Sequence, residues 1–140
     1  MKKLAIILFL CAFFQIETFS QNKADDILGE WTTQKQNSRI LIFKQNNLYY
    51  GKVVWGTGEQ KKDEKNPIVE LRNRDLIGLT ILKDFQFNGT DTWNNGTIYD
   101  PKEGKTYSCK MSLKDKDHLN IRGYIGVSLF GRTEVWTRFK

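Results

Sequence analysis

Between residues 105 and 113 the chain alternates without a break. Tyr107, Cys109, Met111 and Leu113 fall on one side, and Thr106, Ser108, Lys110 and Ser112 on the other. A period of two puts successive side chains on opposite faces, which predicts a half-buried strand. Leu119, Ile121, Gly123 and Ile125 repeat the pattern against His118, Asn120, Arg122 and Tyr124. Residues 39–45 (apolar on both faces at Ile40-Leu41-Ile42-Phe43) and 48–55 form a hairpin about Asn46-Asn47, two residues that tolerate positive φ. The apolar run from Leu76 predicts a strand extending to Phe87, and Asn88-Gly89 is the strongest short-range hairpin signal in the chain. Residues 90–100 hold a second turn signal at Asn94-Asn95-Gly96. Further turns are expected at Asp100-Pro101 to Gly104 and at the charged run 114–117.

At the two ends of this series lie a Gly-x-Trp start and a Trp-x-Arg finish. One helical turn at 25–28 leads into Gly29-Glu30-Trp31 and a first strand reaching about residue 36. At the far end, Gly123, Gly126 and Gly131 punctuate a corner before the closing strand. That strand carries Arg132, Glu134, Trp136 and Arg138 on one face and Thr133, Val135, Thr137 and Phe139 on the other. The total is about eight or nine short strands without βαβ spacing, and an open sheet of that size would expose its edges. The predicted fold is all-β: a closed antiparallel up-and-down barrel, its first and last strands paired and Arg138 stacked on Trp31 or Trp136 as a barrel-closing contact. A two-sheet sandwich is the structural rival.

Targeting comes before folding. Residues 1–20 combine Lys2 and Lys3, an apolar run 4–14 and small or polar residues near 18–20, the pattern of a signal peptide cut after Ser20. The apolar run is too short to span a bilayer as a helix, and no transmembrane segment is expected in the mature chain. Cys11 lies inside that run without small residues before it, against a lipid anchor. Residues 21–140 then form a single domain, exported to the periplasm or beyond the cell. A chain of this size buries roughly two-thirds of its unfolded surface and does not depend on staples. Only Cys109 remains, so no internal disulfide forms, and its alternation with Tyr107 and Met111 makes it a core thiol. Losing Lys2, Lys3 and Glu17 takes the net charge from +6 to +5. A basic exported protein suits peripheral contact with an anionic envelope surface. Nucleic acid is not expected as a partner, because no basic stripe is interleaved with aromatics.

Catalytic signals are sparse. There is one histidine, His118, beside a turn, with no metal-ligand spacing, no Gly-x-Ser-x-Gly elbow and no phosphate-binding glycine loop. Asp100 and Glu103 flank Gly104 as turn residues rather than as a catalytic pair. Asn88-Gly-Thr90 and Asn95-Gly-Thr97 match the glycosylation pattern but read better as hairpin turns. No catalytic residue, metal or cofactor is expected. Were the chain an enzyme, Asp100, Tyr107 and Arg122 would be the residues to mutate first. The loop 56–67, with its charged cluster, reads as a solvated flap. Arginines facing a cavity would clamp a carboxylate or phosphate. The candidate ligand-binding residues are therefore Arg72, Arg74, Tyr99, Tyr107, Arg122, Tyr124, Arg132 and Trp136.

A series of short motifs is distinctive as a set: Gly29-Glu-Trp31; Tyr50-Gly-Lys-Val-Val-Trp55; Asp63 to Pro67; Leu71-Arg-Asn-Arg74 with Leu76-Ile-Gly78; Trp93 with Gly96-Thr-Ile-Tyr-Asp-Pro101 and Gly104-Lys-Thr-Tyr107; and Leu119 to Gly126 through Phe130-Gly-Arg132 to Trp136-Thr-Arg138. It resembles the small exported bacterial proteins grouped as domain of unknown function 2147, over nearly all of the mature chain. One departure is Asp75, where a proline is more usual. The resemblance implies a lipocalin-like (calycin) barrel in the envelope or outside the cell, and it supplies no activity. The Gly-x-Trp start and late arginine are also similar to lipocalins proper, which carry small apolar molecules. The leading expectation is a non-enzymatic barrel that binds a small amphipathic or anionic ligand, such as a fatty acid or lipid fragment. The alternative is a solid-cored module that meets an anionic polymer or partner protein through Lys61, Lys62 and Lys65.

Overall fold

A computed structural model describes residues 23–140; the expected signal peptide at 1–20 lies outside them. Eight strands follow in order: β1 (Gly29–Thr32), β2 (Ser38–Gln45), β3 (Leu48–Gly56), β4 (Thr80–Phe87), β5 (Thr92–Asp100), β6 (Lys105–Asp115), β7 (His118–Tyr124) and β8 (Gly131–Arg138). Each pairs antiparallel with its neighbour in sequence, and β8 returns to β1 through Trp31↔Arg138 and Thr32↔Thr137. The sheet is thus a closed up-and-down barrel, and the sandwich is excluded.

Alternation explains which side chains fill it. Ile40 and Ile42, Cys109 and Met111, and Leu119 and Ile121 are buried two apart on their strands. Trp31, Trp93 and Trp136 are also buried, each a side chain whose truncation to alanine typically costs ~3–5 kcal/mol. Gly96 makes room for the core. A Cβ there would come within 2.5 Å of the Phe85 ring, so the strand passes over that phenylalanine only without a side chain.

The lower end is closed. A 3₁₀ turn (Asp25–Ile27) sits across it, and the Trp31 and Trp93 indoles donate to the carbonyls of Ile27 and Ala24 at 2.9 and 3.0 Å. The Arg138 guanidinium lies 4.3 Å over the Trp31 ring and donates to the carbonyls of Leu28 (2.9 Å), Asp26 (2.6 Å) and Lys116 (2.9 Å). Arg138 therefore fastens the plug and the β1–β8 seam together, with Trp31 rather than Trp136 as its aromatic partner.

Several local expectations are corrected. Asn94-Asn95-Gly96 is not a turn: β5 runs through it, the register shifts between Trp93 and Gly96, and Asn95 takes φ 62°. A bulge with a left-handed residue and a two-residue hairpin turn both use positive φ, and asparagine supplies it for either. Asn46-Asn47 is the two-residue turn expected, with φ 51° and 63°. By contrast, the connection at Asn88-Gly89 spans four residues, its Asn88 Oδ1 accepting from the amides of Thr90, Asp91 and Thr92. β1 stops at Thr32, and the apolar run 76–79 precedes β4 rather than joining it.

The largest correction concerns the β3–β4 connection. Its residue Asp63 is fully buried and Asn66 nearly so. The Asp63 carboxylate accepts from the Tyr99 hydroxyl, from Asn66 Nδ2 (2.8 Å) and from Arg74 Nε (2.8 Å), while its own amide donates to the Arg74 carbonyl (3.0 Å). Gln60 reaches the Pro101 carbonyl at 3.1 Å. Gly104, at φ 68°, lies so close beneath the Lys65 carbonyl that a Cβ would stand 1.9 Å from its oxygen. A connection carrying so many charges is here latched to β5 and to the β5–β6 turn, not solvated as a flap.

Candidate functional site: the open mouth of the barrel

In an up-and-down barrel alternate connections share an end. The β1–β2 (33–37), β3–β4 (57–79), β5–β6 (101–104) and β7–β8 (125–130) connections therefore ring the end opposite the plug. Between them lies a cavity of about 540 Å³, within the range of small-molecule sites. Its apolar surface comes from Ile81, Ile98 and Ile121, with Tyr99, Tyr107, Tyr124, Ile125 and Phe130 around them. Gly123 leaves room in the wall: a Cβ there would meet Ile98 Cγ2 at 3.6 Å, Tyr107 Cβ at 3.8 Å and the Ser108 carbonyl at 4.0 Å, all ordinary contacts.

Lys35, Lys102 and Arg132 bring positive charge to the lining, and Asp100, Glu103 and Glu134 bring negative charge. The acids are engaged within the fold. The Asp100 carboxylate accepts from the Lys102 amide (2.9 Å), Glu103 from the Tyr107 hydroxyl, and Glu134 from the Trp136 indole (3.2 Å). Arg132 lies 3.6 Å from Glu134. Among the described residues, no carboxylate lies within ion-pairing distance of Lys35 or Lys102, which leaves two ammonium groups at the mouth open to an anion.

Titration follows these contacts. Burial would raise the Asp63 carboxyl, but hydrogen bonds from Tyr99, Asn66 and Arg74, together with the arginine's charge, hold it below its ordinary value. Burial and the bond to Asp63 push the Tyr99 phenol up to about 12. The bond to Glu103, with partial burial, raises Tyr107. Burial pushes the Cys109 thiol up to about 12.

The candidate residues separate into groups. Tyr99, Tyr107, Tyr124 and Arg132 line the cavity. Arg74 and Arg72 do not; Arg74 holds Asp63, and Arg72 Nε donates to the Asn66 carbonyl at 2.7 Å, so both brace the latch. Arg122 lies outside the cavity as well. It donates to the carbonyl of Ser128 (2.8 Å), to Thr133 Oγ1 (2.8 Å) and to the carbonyl of Leu129 (3.4 Å), holding the β7–β8 loop. Trp136 is core, and Trp31 and Arg138 close the seam. Sequence reasoning missed Ile98, Ile121 and Gly123, although alternation had put the last two on the inward face. Lys35 and Lys102 stand in turns and gave no signal.

An eight-stranded meander plugged at one end, with a partly filled interior and an aromatic mouth, defines a lipocalin-like barrel. The chain belongs to the family described as "Uncharacterized protein conserved in bacteria (DUF2147)", which matches residues 29–138. Among solved structures it is similar to protein HP1028 from the human pathogen Helicobacter pylori, described as belonging to the lipocalin family. The two share 26% sequence identity at a TM-score of 0.75, over 81% of this chain and 83% of that one. Among curated proteins no sequence matches.

Proposed function

We propose that this chain is an exported, non-enzymatic binding protein that takes a small amphipathic molecule with an anionic head into the mouth of its barrel. The observation that carries this reading is the cavity itself, with isoleucines and tyrosines inside and, at its edge, Lys35 and Lys102, which have no carboxylate partner among the described residues. An apolar tail removes its surface from water among Ile81, Ile98 and Ile121, at about 25 cal/mol per Å² buried. The head stays at the rim, where an ammonium offsets its charge without full desolvation. Beneath the cavity the tryptophan-filled core sets a floor, so the tail is short or folded. Export rests on the pattern of residues 1–20, and similarity to a protein described as belonging to the lipocalin family supports the choice of a barrel interior as the place to look for a ligand.

The test is native mass spectrometry of protein purified from its own host, paired with two variants at Gly123. Gly123→Ala meets only ordinary contacts and is expected to keep a bound mass. Gly123→Phe puts a ring beside Ile98 and Tyr107 and is expected to lose it, and to stop taking up the anionic amphiphile anilinonaphthalene sulfonate. If repeated preparations carry no bound mass and the phenylalanine variant takes up the probe as the wild type does, the proposal fails.

A further inference from the structure

The rim of the mouth carries more exposed apolar surface than the cavity needs. On the β7–β8 loop Ile125, Val127, Leu129 and Phe130 are 73%, 58%, 80% and 73% exposed. Ile125 and Phe130 face the cavity, whereas Val127 and Leu129 do not line it. Across the barrel, the β3–β4 connection exposes Ile68, Val69 and Ile77. Scattered apolar side chains on a surface mean little, but clusters raised on two connections at one end mark an interaction site.

These tips are held in place. Arg122 grips the Ser128 and Leu129 carbonyls, fixing the backbone beneath Leu129, and Phe130 N–H donates to the Val127 carbonyl at 3.1 Å. On the other side Asn66 Oδ1 accepts from the Ile68 amide, and Asp63, Arg72 and Arg74 brace that loop from within. The apolar groups are therefore presented outward rather than folded back onto the sheet. The β3–β4 and β7–β8 connections share the open end of the barrel, so that end offers two exposed apolar clusters, one of them bordering the cavity through Ile125 and Phe130.

The charge beside them selects the partner. Arg132, directly after the loop, has a side chain 76% exposed, and Lys35 and Lys102 stand at the same rim without carboxylate partners among the described residues. Apolar tips flanked by Lys35 and Lys102, with the rim carboxylates Asp100, Glu103 and Glu134 already engaged within the fold, match the layered chemistry of an anionic bilayer surface, where hydrocarbon lies just beneath acidic headgroups. We infer that the mouth of the barrel docks on an anionic lipid surface, inserting the β7–β8 loop tip and the Ile68–Val69 turn and setting the cavity opening against the headgroups. The contact is peripheral, and it differs from the Lys61, Lys62 and Lys65 surface, where Lys62 is already paired with Asp75 at 2.5 Å. It does not depend on the cavity's being occupied.

Flotation with vesicles of phosphatidylethanolamine and phosphatidylglycerol tests it, with phosphatidylcholine vesicles as the neutral control. The expected result is salt-weakened binding to the anionic vesicles. V127S/L129S is expected to bind about tenfold more weakly or worse, because two apolar side chains no longer enter the membrane. Both positions are exposed and outside the cavity lining, so thermal unfolding and uptake of anilinonaphthalene sulfonate should match the wild type. This separates failure of docking from failure of ligand binding. Equal binding by the double variant, or no binding of the wild type to anionic vesicles, overturns the inference. So does a loop-dependent self-association seen by sedimentation without vesicle binding, which would make a second copy the occupant.

Discussion

Replacing Asp63 by alanine removes an acceptor that three side chains share. The carboxylate is fully buried, and Tyr99, Asn66 and Arg74 all donate to it. Hydrogen bonds to a charged group contribute about 1.5–3 kcal/mol each, but only part of that is lost here. The Arg74 side chain is 37% exposed and regains water, whereas Asn66 is nearly buried and does not. A loss of about 3 kcal/mol follows, near the lower bound for breaking a buried charge pair, with a drop in Tm of roughly 10 °C for a domain of this size. Asp63→Asn keeps the acceptor oxygen and loses the charge, so its cost should be about half as large. Urea denaturation gives the global figure, and amide exchange at Asp63 and Leu76, which donate to the carbonyls of Arg74 and Lys61, shows whether the loop opens by itself. If the loop opens locally, the global loss stops at the free energy of that opening while exchange rises fully. The pH dependence has a definite sign. The folded carboxyl lies below its ordinary 3.8, so this stabilisation is complete above that value and is lost as pH falls through the folded one. An alanine variant within about 0.5 kcal/mol of wild type, with unchanged exchange at both amides, would refute the latch.

Two further outcomes are expected. Arg138→Met keeps the stem over Trp31 but removes three carbonyl contacts. A loss of about 2–4 kcal/mol is expected in urea melts, with faster exchange along β1 and β8 than elsewhere. Cys109 should not react with a thiol reagent until the protein unfolds. Because its thiol is raised from 9.0 to about 12, the stability it contributes is whole below pH 9 and declines as pH climbs toward 12; Cys109→Ala should flatten that limb of the pH–stability curve.

The barrel was legible because its evidence is local. Alternation through Cys109 and Met111 and the Asn46-Asn47 turn each declare themselves within a few residues, and closure followed from Trp31 and Arg138 as the marked ends of a continuous meander. Misreadings arose where one local signal serves two structures, as at Asn95, or where an apolar run lacks alternation, as at 76–79. The latch was harder. Asp63 meets Tyr99 across 36 positions, and no periodicity connects a loop carboxylate to a strand phenol. The partners do stand in separate motifs of the resemblance (Asp63 to Pro67, Leu71 to Arg74, Gly96 to Pro101), which was the signal available. For the cavity, the faces of β6 and β8 identified Tyr107 and Arg132, but the turns that carry Lys35 and Lys102 have no face to read.

The seam between β1 and β8 also fixes where Lys23 and Lys140, the first and last described residues, emerge from the barrel. The 3₁₀ turn beside Ala24 and the tail after Arg138 meet at the plugged floor, on the far side from the mouth. A dye, affinity handle or surface linker attached after Lys140 would thus leave from beneath the cup, so immobilised protein should display its opening outward. A short peptide bridging Lys140 to Lys23, with a new break in the exposed 88–91 turn, should yield a rearranged chain whose rim chemistry is untouched.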